Sequence, residues 1–326
     1  MRSRVFSGIQ PTGVIHLGNY LGAIKSWVDL QYKHDSFFCI VDYHAITVPY
    51  DPADMRQRIF DAAVANIAAG LDPDVATIFV QSHVPEHTEL TWLLNSITPM
   101  GWLGRMTQFK EKSEQFKENV NVGLFDYPVL QAADILLYKA EVIPVGEDQV
   151  QHIELTRDIA RKFNSTFGDT FPEPKALLSP AARIMALNDP AKKMSKTLPG
   201  SYIGISDLPA EIRDKMMKAV TDAGPTPGQE MSPGTANLFT LLKEFSAPET
   251  VRRFQEEYDS GAIRYSELKS VLADDIVAAL APFREKREEL LGKPVVVKNI
   301  LRQGADRARL YARETLLEVK GKMGLL

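Results

Sequence analysis

The sequence predicts a doubly wound α/β fold with a separate helical region at its carboxyl end. Short apolar runs of strand length recur along the first 203 residues, and helical segments lie between them. This alternation is typical of a parallel sheet covered by helices. Beyond Tyr202 the pattern becomes helical. We therefore expect an α/β domain over residues 1–203 and an α-helical domain over residues 204–326.

Five apolar runs are the candidate strands, at residues 5–6, 37–41, 75–81, 142–145 and 183–187. Between them, Asp51 and Pro52 are typical of a helix start, and Gly70 of a helix end. Helical periodicity predicts helices at residues 89–97 and 127–138, the second started by Pro128. Further helices are expected at 212–220 and, after a Pro/Gly-rich connector at 224–234, at 236–245, 248–258, 266–291 and 296–322.

The first apolar run leads into F-S-G-I-Q-P-T-G-V-I-H-L-G-N, residues 6–19. The turn opens a predicted helix at residues 20–30, so His16 and Asn19 would lie beside free backbone donors. Glycine lets a backbone approach phosphate groups closely, although a plain strand-to-helix turn also favours glycine. That simpler interpretation does not explain His16 and Asn19, and the segment therefore predicts a phosphate site.

A second candidate segment is K-K-M-S-K-T at residues 192–197. Lysines crowded beside a serine and flanked by prolines form a cationic loop that can neutralise developing phosphate charge. Taken alone, such a loop is more often simply solvated. Its occurrence together with the first segment favours the phosphate interpretation.

Several polar residues stand where the predicted fold would place a ligand. Val41 and His44 follow a strand end, which in an open α/β sheet lines the crevice. Asp134 interrupts an apolar helix, where a buried carboxylate needs a donor: a salt bridge or cap, or a ligand N–H. Glu147 and Asp148 begin a helix, where they either cap it or bind a ligand.

Bulk composition excludes several classes of protein. The chain has 326 residues, 44% hydrophobic, and no apolar run near the roughly 20 residues of a membrane span. One cysteine, Cys39, leaves no intrachain disulfide or thiolate metal site, and a net charge of -4 argues against indiscriminate nucleic-acid coating. His83 and His87 are four residues apart, but Pro85 breaks the helix that a metal pair would need. We expect a cytoplasmic protein without a signal peptide, because the phosphate segment begins close to Met1.

The segments H-L-G-N at His16 and K-M-S-K-T at Lys193 resemble the two signatures of class I aminoacyl-tRNA synthetases. Three more segments are similar to the bacterial or organellar tryptophan-specific family: G-I-Q-P-T-G at Gly8, A-A-D-I-L-L-Y at Ala132 and G-E-D-Q-V-Q-H at Gly146. The resemblance implies a Rossmann-like catalytic domain, a helical insertion at about 83–125 near a homodimer interface, and a tRNA anticodon-binding helical domain. It also implies ATP with phosphate-bridging Mg²⁺ as cofactors, and L-tryptophan and tRNA(Trp) as partners. An organellar member would act in the mitochondrial matrix.

The resemblance assigns three groups of residues. The catalytic group is His16, Asn19, Lys193, Ser195 and Lys196. The ATP-binding group is Gln10, Pro11, Thr12, Gly18, Asn19, Gly146, Glu147, Asp148, Ile184, Lys193, Met194, Ser195, Lys196 and Thr197. The tryptophan-binding group is Phe6, Gly8, Gln10, Val41, His44, Gln131, Asp134, Val145 and Gln149. Gln108 and Lys112 are expected near the amino acid and the phosphates.

Two related functions remain as alternatives. A tyrosine-specific synthetase would share the chemistry, and Gln131 and Asp134 fit it. Phe6, which lacks the hydroxyl that tyrosine enzymes carry at that position, and the A-A-D-I-L-L-Y run do not fit it. A synthetase-like regulator that binds tryptophan or RNA would not need both phosphate segments. The lysine loop departs from the family by ending K-T-L-P-G. For tRNA contact, the basic carboxyl-terminal segment offers Lys298, Arg302 and Arg309, although a solvated helix face would look the same.

Overall fold

The computed structural model describes residues 2–11, 13–115, 118, 120–178, 184–195, 198, 200–222, 224 and 230–326. Within them the chain divides into two compact units. The first contains residues 1–13, 25–179 and 290–326, and the second contains residues 14–24 and 180–289. Each unit combines segments from both of the regions expected as domains, since residues 14–24 belong to the second unit and residues 290–326 to the first.

The first unit is built on a five-stranded sheet in the order β3-β2-β1-β4-β5, with every adjacent pair parallel. The predicted doubly wound parallel fold is therefore confirmed. Its central strands are apolar: Phe6 pairs with Phe37, and Phe37 with Thr77. The strands are β1 Arg4–Ile9, β2 Asp35–Ile40, β3 Thr77–Val80, β4 Val142–Val145 and β5 Lys175–Leu178.

Helices of the first unit follow the strands in the chain. They are α2 Lys25–Leu30, α3 Asp42–Ala45, α4 Pro52–Ala68, α5 Glu86–Asn95, α6 Met100–Leu103, α7 Thr107–Gln115, α8 Val122–Leu136, α9 Val150–Phe167 and α15 Pro294–Lys322. The Asp51 carboxylate caps α4 by accepting the Ala53 N–H at 2.9 Å, as predicted. None of the helices that the structure describes combines the length and apolarity needed to cross a membrane.

Helix α8 begins earlier than predicted, and Pro128 lies inside it. The Asn121 side chain accepts the Leu124 N–H at 2.9 Å and caps the helix, which begins at Val122, five residues before the expected start at residue 127. Proline is typical of a first turn because it lacks an N–H, but tertiary packing here outweighs the cost of an interior proline. The earlier start adds one turn that carries Leu124 into the core.

The last helix, α15, packs on the sheet unit rather than with the preceding helices. An ideal Cβ on Gly304 would stand 1.8 Å from the Ile78 carbonyl oxygen, so the helix touches β3 backbone to backbone. Arg307 donates to the carbonyls of Pro73 and Ala76, and Arg313 Nε lies 3.0 Å from Glu86 Oε1. Basic residues of the carboxyl-terminal segment thus bind the protein itself.

The second unit is mainly helical. The turn containing His16 is followed by α1 Leu17–Asn19 and a π-helical turn, Tyr20–Ile24, which precedes α2 in the chain. The other helices are α10 Pro209–Met217, α11 Pro233–Phe245, α12 Pro248–Asp259, α13 Tyr265–Ala279 and α14 Ala281–Leu291, the last ending at the unit boundary. One helix predicted over 266–291 is therefore two.

The predicted fifth strand at 183–187 is wrong. Residue 183 lies outside the described residues, and Met185 makes a single antiparallel bridge to Lys193. The Ala186 N–H donates to the Lys192 carbonyl at 2.8 Å, and the Met194 N–H to the Ile184 carbonyl at 3.0 Å. The apolar run thus anchors the lysine loop locally, while the fifth strand is the exposed β5, which has no alternating pattern to reveal it.

Candidate active site

Four parallel strands of the first unit end beside polar or small residues. Gln10 follows β1, Val41 follows β2, Gln81 follows β3 and Gly146 follows β4. Since the carboxyl ends of parallel strands meet at one edge, these residues line the same edge of the sheet. The fold thereby places most of the predicted tryptophan-binding residues together.

The predicted glycine, Gly8, stands where the backbone packs closely. An ideal Cβ there would lie 2.7 Å from Val41 Cγ1, so any side chain at Gly8 would displace Val41. Two residues before it, the buried Phe6 ring stacks on Tyr138 with centroids 5.6 Å apart. The start of the predicted pocket is therefore apolar, and Phe6 brings no hydroxyl to it.

Asp134 is the most buried acid of the site, with 1% of its surface exposed. His44 Nε2 lies 2.8 Å from its Oδ2, and His87 Nδ1 lies 2.6 Å from its Oδ1. The Gln81 amide nitrogen donates to both oxygens, at 2.7 and 2.9 Å. Burial raises the pKa of Asp134, but the hydrogen bonds from His44 and His87 outweigh it and leave the pKa below its usual value. The carboxyl group is therefore ionised at neutral pH.

A second series of hydrogen bonds connects α8 with the turn that precedes α9. Gln131 Nε2 lies 3.4 Å from Gln149 Oε1, and Gln149 donates to the Asp148 carboxylate at 2.8 Å. The predicted tryptophan-binding glutamines thus contact each other and a predicted ATP-binding acid. Val145, at the end of β4, immediately precedes this turn.

The predicted Lys112 stands over the Tyr127 ring, with Nζ 4.6 Å from the centroid. The Tyr127 hydroxyl lies 2.9 Å from His152 Nε2, and the imidazole is fully buried. Burial, together with the Lys112 and His44 charges, lowers the pKa of His152 to about 4. His152 is therefore neutral at physiological pH. Gln108 instead contacts Glu111 on its own helix, at 3.3 Å.

In the second unit, the His16 and Asn19 side chains close a reciprocal cap at the start of α1. The Asn19 N–H donates to His16 Nδ1 at 3.3 Å, and the His16 N–H donates to Asn19 Oδ1 at 3.3 Å. The cap fixes both predicted phosphate-binding side chains. Gly18 lies beneath the imidazole, since an ideal Cβ there would come within 3.0 Å of two ring atoms.

The lysine loop lies beside that cap in the same unit. An ideal Cβ on Gly18 would be 3.7 Å from Met194 Cβ, and Met194 is buried. Lys193 is exposed, whereas the neighbouring Lys192 pairs with Asp189 at 2.8 Å. The Ser195 carbonyl accepts the Ser201 hydroxyl at 2.5 Å. The described parts of the two segments that predict phosphate chemistry thus lie close together within the second unit.

Three other predicted ATP-binding residues lie in loops or a short turn, and three more fall outside the described part of the chain. Pro11 is buried just after β1, Ile184 is buried in the loop anchor, and Glu147 is exposed in a single turn, Glu147–Gln149. Thr12, Lys196 and Thr197 lie outside the described residues.

The sequence interpretation missed Gln81, His87, Tyr127, Tyr138 and His152, all of which belong to these networks. The sequence offers His87 only as half of a metal pair with His83, which Pro85 argues against, whereas in the structure its ring faces Asp134. Gln81 could have been found, because it ends the predicted strand 75–81 just as Val41 ends the run 37–41. The others depend on packing that local patterns do not encode.

Comparison with known proteins identifies the family. The profile of the family described as "tRNA synthetases class I (W and Y)" matches residues 1–281. A tryptophan–tRNA ligase of Gloeobacter violaceus is 47% identical, with 99% of this chain and 96% of that protein covered. Tryptophan–tRNA ligase 2 of Streptomyces avermitilis is 48% identical, with 100% and 98% covered.

A solved structure agrees over the same length. The tryptophanyl-tRNA synthetase of Campylobacter jejuni, complexed with ADP and tryptophan, superposes with a TM-score of 0.87 at 37% identity. The superposition covers 99% of this chain and 100% of that one. With the parallel sheet and the two signature segments in place, the chain belongs to the class I tRNA synthetases of the tryptophan and tyrosine family.

Proposed function

We propose that this enzyme uses ATP to activate L-tryptophan and transfers the activated amino acid to tRNA(Trp). The observation that carries this function is Asp134, an ionised and buried carboxylate at the strand-end edge of the sheet. An ionised carboxylate can only accept hydrogen bonds, and an indole N–H can only donate. The two groups are chemically complementary. A phenol O–H can also donate to a carboxylate, so Phe6, which offers no hydroxyl to a phenol, is the residue that favours tryptophan over tyrosine.

The proposed reaction has two steps. A tryptophan carboxylate oxygen attacks the α-phosphorus of ATP, its bond to phosphorus forms, and the bond to the leaving pyrophosphate breaks. A terminal ribose hydroxyl of tRNA then attacks the activated carbonyl, and AMP leaves. No protein nucleophile is needed, so the residues act by positioning groups and stabilising charge.

His16 and Asn19 are the proposed contacts for the triphosphate, and their mutual cap supports that role because it holds both side chains in place. Lys193 and Ser195, with Lys196 outside the described residues, would stabilise charge that builds on the phosphates. Mg²⁺ would arrive on the phosphates of ATP rather than in a cage of protein ligands.

The remaining ligand contacts are proposed from the family resemblance, residue by residue. Glu147 and Asp148 would take the ribose and the amino-acid ammonium, with Gln149 beside them. The backbone at Ile184 would meet adenine. The remaining proposed contacts with ATP are Gln10, Pro11, Thr12, Gly18, Gly146, Met194 and Thr197. The remaining proposed contacts with tryptophan are Gly8, Val41, His44, Gln131 and Val145.

We also propose that the enzyme is a homodimer in the cytoplasm. A groove of about 380 Å³ in the first unit supports the dimer, because large apolar side chains stand exposed in and beside it. Trp92 is 76% exposed and Val122 is 80% exposed, which is costly for a monomer surface. Trp92→Glu should yield a monomer in light scattering, whereas Leu310→Glu, on an exposed face of α15, should leave the mass unchanged. A monomeric wild type would refute the dimer.

The helical region at 204–326 is the proposed site for the tRNA anticodon. Lys298 and Arg302 are exposed on α15, but Arg309 donates to the His83 carbonyl and lies 3.7 Å from a Glu86 oxygen. Arg309 therefore supports the fold, and Lys298 and Arg302 remain the proposed contacts with tRNA.

The proposed function is tested by amino-acid-dependent exchange of pyrophosphate into ATP, with tryptophan and tyrosine assayed in parallel. We expect exchange with tryptophan alone, and a loss of exchange in Asp134→Asn. Exchange with tyrosine would keep the reaction but overturn the proposed pocket. Exchange with neither amino acid would favour a regulator that binds without catalysis.

A further inference from the structure

Behind Asp134 lies a chain of side chains that the proposed reaction does not use. His87 is fully buried, and while its Nδ1 faces Asp134, its Nε2 lies 2.7 Å from the Tyr138 hydroxyl. Tyr138 is also fully buried, between the rings of Phe6 and Phe37. A fully buried imidazole that joins a carboxylate to a phenol has a defined orientation and defined partners.

The partners fix the protonation pattern along this chain. Ionised Asp134 can only accept, so His87 Nδ1 must carry the proton and donate it. On the other side of the ring, Nε2 lies 2.7 Å from the Tyr138 hydroxyl. The imidazole is therefore held by a hydrogen-bond partner at each nitrogen.

Gln81 secures the carboxylate from a different element. Its amide nitrogen bridges both Asp134 oxygens, while its Oε1 accepts the Tyr43 N–H at 3.1 Å. The Tyr43 contact determines which end of the amide is the donor. Gln81 and His87 together bring donors from the end of β3 and from α5 to a residue on α8.

We infer that Gln81 and His87, with Tyr138 behind His87, are positioning residues for amino-acid specificity, which hold the Asp134 carboxylate charged and fixed for the indole N–H. This inference rests on the proposed function, since it requires Asp134 to bind tryptophan. Without these donors the buried carboxylate would take up a proton or rotate, and either change makes it a poorer acceptor. The protein would then lose its ability to distinguish an indole N–H from a group of the same shape that has no proton to donate.

The test measures that distinction directly. Equilibrium binding of L-tryptophan is compared, by calorimetry, with binding of β-(3-benzothienyl)-L-alanine, in which sulfur replaces the indole N–H. The dissociation constant of the analogue divided by that of tryptophan isolates the N–H contact, because a general loss of structure weakens both ligands alike. The reference variant Asp134→Asn should lower this ratio about tenfold, by removing the charged acceptor.

His87→Leu removes the donor and should lower the ratio by a similar factor, about tenfold. His87→Asn is the conservative variant, since its amide nitrogen can replace Nδ1, and it should restore most of the ratio. Tyr138→Phe deletes only the hydroxyl behind His87 and should lower the ratio about threefold. If His87→Leu does not fold, Tyr138→Phe decides the question.

The outcomes separate the inference from the proposed function. A wild-type ratio in folded His87→Leu or in Tyr138→Phe, with a reduced ratio in Asp134→Asn, would overturn the positioning role and leave the proposed pocket standing. A wild-type ratio in Asp134→Asn would overturn the proposed contact with indole itself. Equal loss of both ligands in His87→Leu would assign His87 to folding alone.

Discussion

Replacing Gly304 by alanine should loosen the contact between α15 and the sheet. The added Cβ would stand 1.8 Å from the Ile78 carbonyl oxygen and 2.7 Å from its carbon, where ordinary contacts begin at 3.4 Å. Both atoms belong to the β3 backbone, so no flexible side chain can move aside. The helix must therefore retreat by about 1.6 Å, the difference between 3.4 and 1.8 Å.

The magnitude follows from two opposing effects. Alanine favours a helix over glycine by about 1 kcal/mol. Overpacking costs roughly 1–3 kcal/mol and occasionally more, and a gap of even 1 Å forfeits up to about half of each dispersion contact. The helix buries Leu301, Ala305 and Ala308 around the contact, and these would lose their neighbours. We expect a net loss of about 3 kcal/mol in the free energy of unfolding.

Urea unfolding followed by tryptophan fluorescence reports on the first unit, to which α15 belongs, because all three tryptophans, Trp27, Trp92 and Trp102, lie in that unit. Gly321→Ala is the matched control, since nothing lies within 4 Å of its ideal Cβ on the same helix. The control should gain about 0.5 kcal/mol from helix propensity. A Gly304→Ala protein as stable as the wild type would refute the close contact.

Three further outcomes are expected. Lys193→Ala should slow tryptophan-dependent pyrophosphate exchange about 100-fold while tryptophan binding changes little, because a transition-state donor contributes on the order of 3 kcal/mol. Lys192 is already paired with Asp189, so Lys192→Ala should change the rate less than threefold. Equal effects of the two variants would refute the assignment of Lys193. His152 has a folded pKa of about 4 against an ordinary 6.5, so its contribution to stability is present above pH 6.5 and lost as pH falls toward 4. Across that range, urea titrations should show the wild type losing about 3 kcal/mol more free energy of unfolding than His152→Gln. Parallel pH profiles of the two proteins would contradict the buried neutral imidazole. Lys298→Ala should raise the KM for tRNA without changing pyrophosphate exchange. Arg309→Ala loses contacts to His83 and Glu86 and should instead lower the urea midpoint. The reverse pattern would assign Arg309, rather than Lys298, to tRNA binding.

Local patterns predicted the features that each segment determines by itself. Apolar runs located β1 to β4, and Asp51 with Pro52 located the start of α4. The carboxylate of Asp134 stood out because an apolar helix has no internal partner for it.

Features that depend on distant contacts could not be predicted in this way. The pattern of α15 is that of any basic amphipathic helix, and only the fold reveals that Arg313 meets Glu86, 227 residues earlier in the chain. Likewise, His87 reaches Asp134 across 47 residues, and the sequence gives its ring no direction. A periodic pattern defines which face of an element is buried, but not which element covers it.

The same hydrogen bonds that make Asp134 tolerable in the core also determine what it can bind. Burying an unpaired carboxylate would raise its pKa until it took up a proton, and a protonated acid presents a donor as well as an acceptor. Here the bonds from His44 and His87 outweigh burial and lower the pKa below its usual value. The stabilising contribution is therefore present above the unfolded pKa of about 3.9 and is lost only as pH falls through the folded value. At neutral pH the site thus holds a fixed anion, and a ligand satisfies it by donating a hydrogen bond from an otherwise apolar ring, as an indole does.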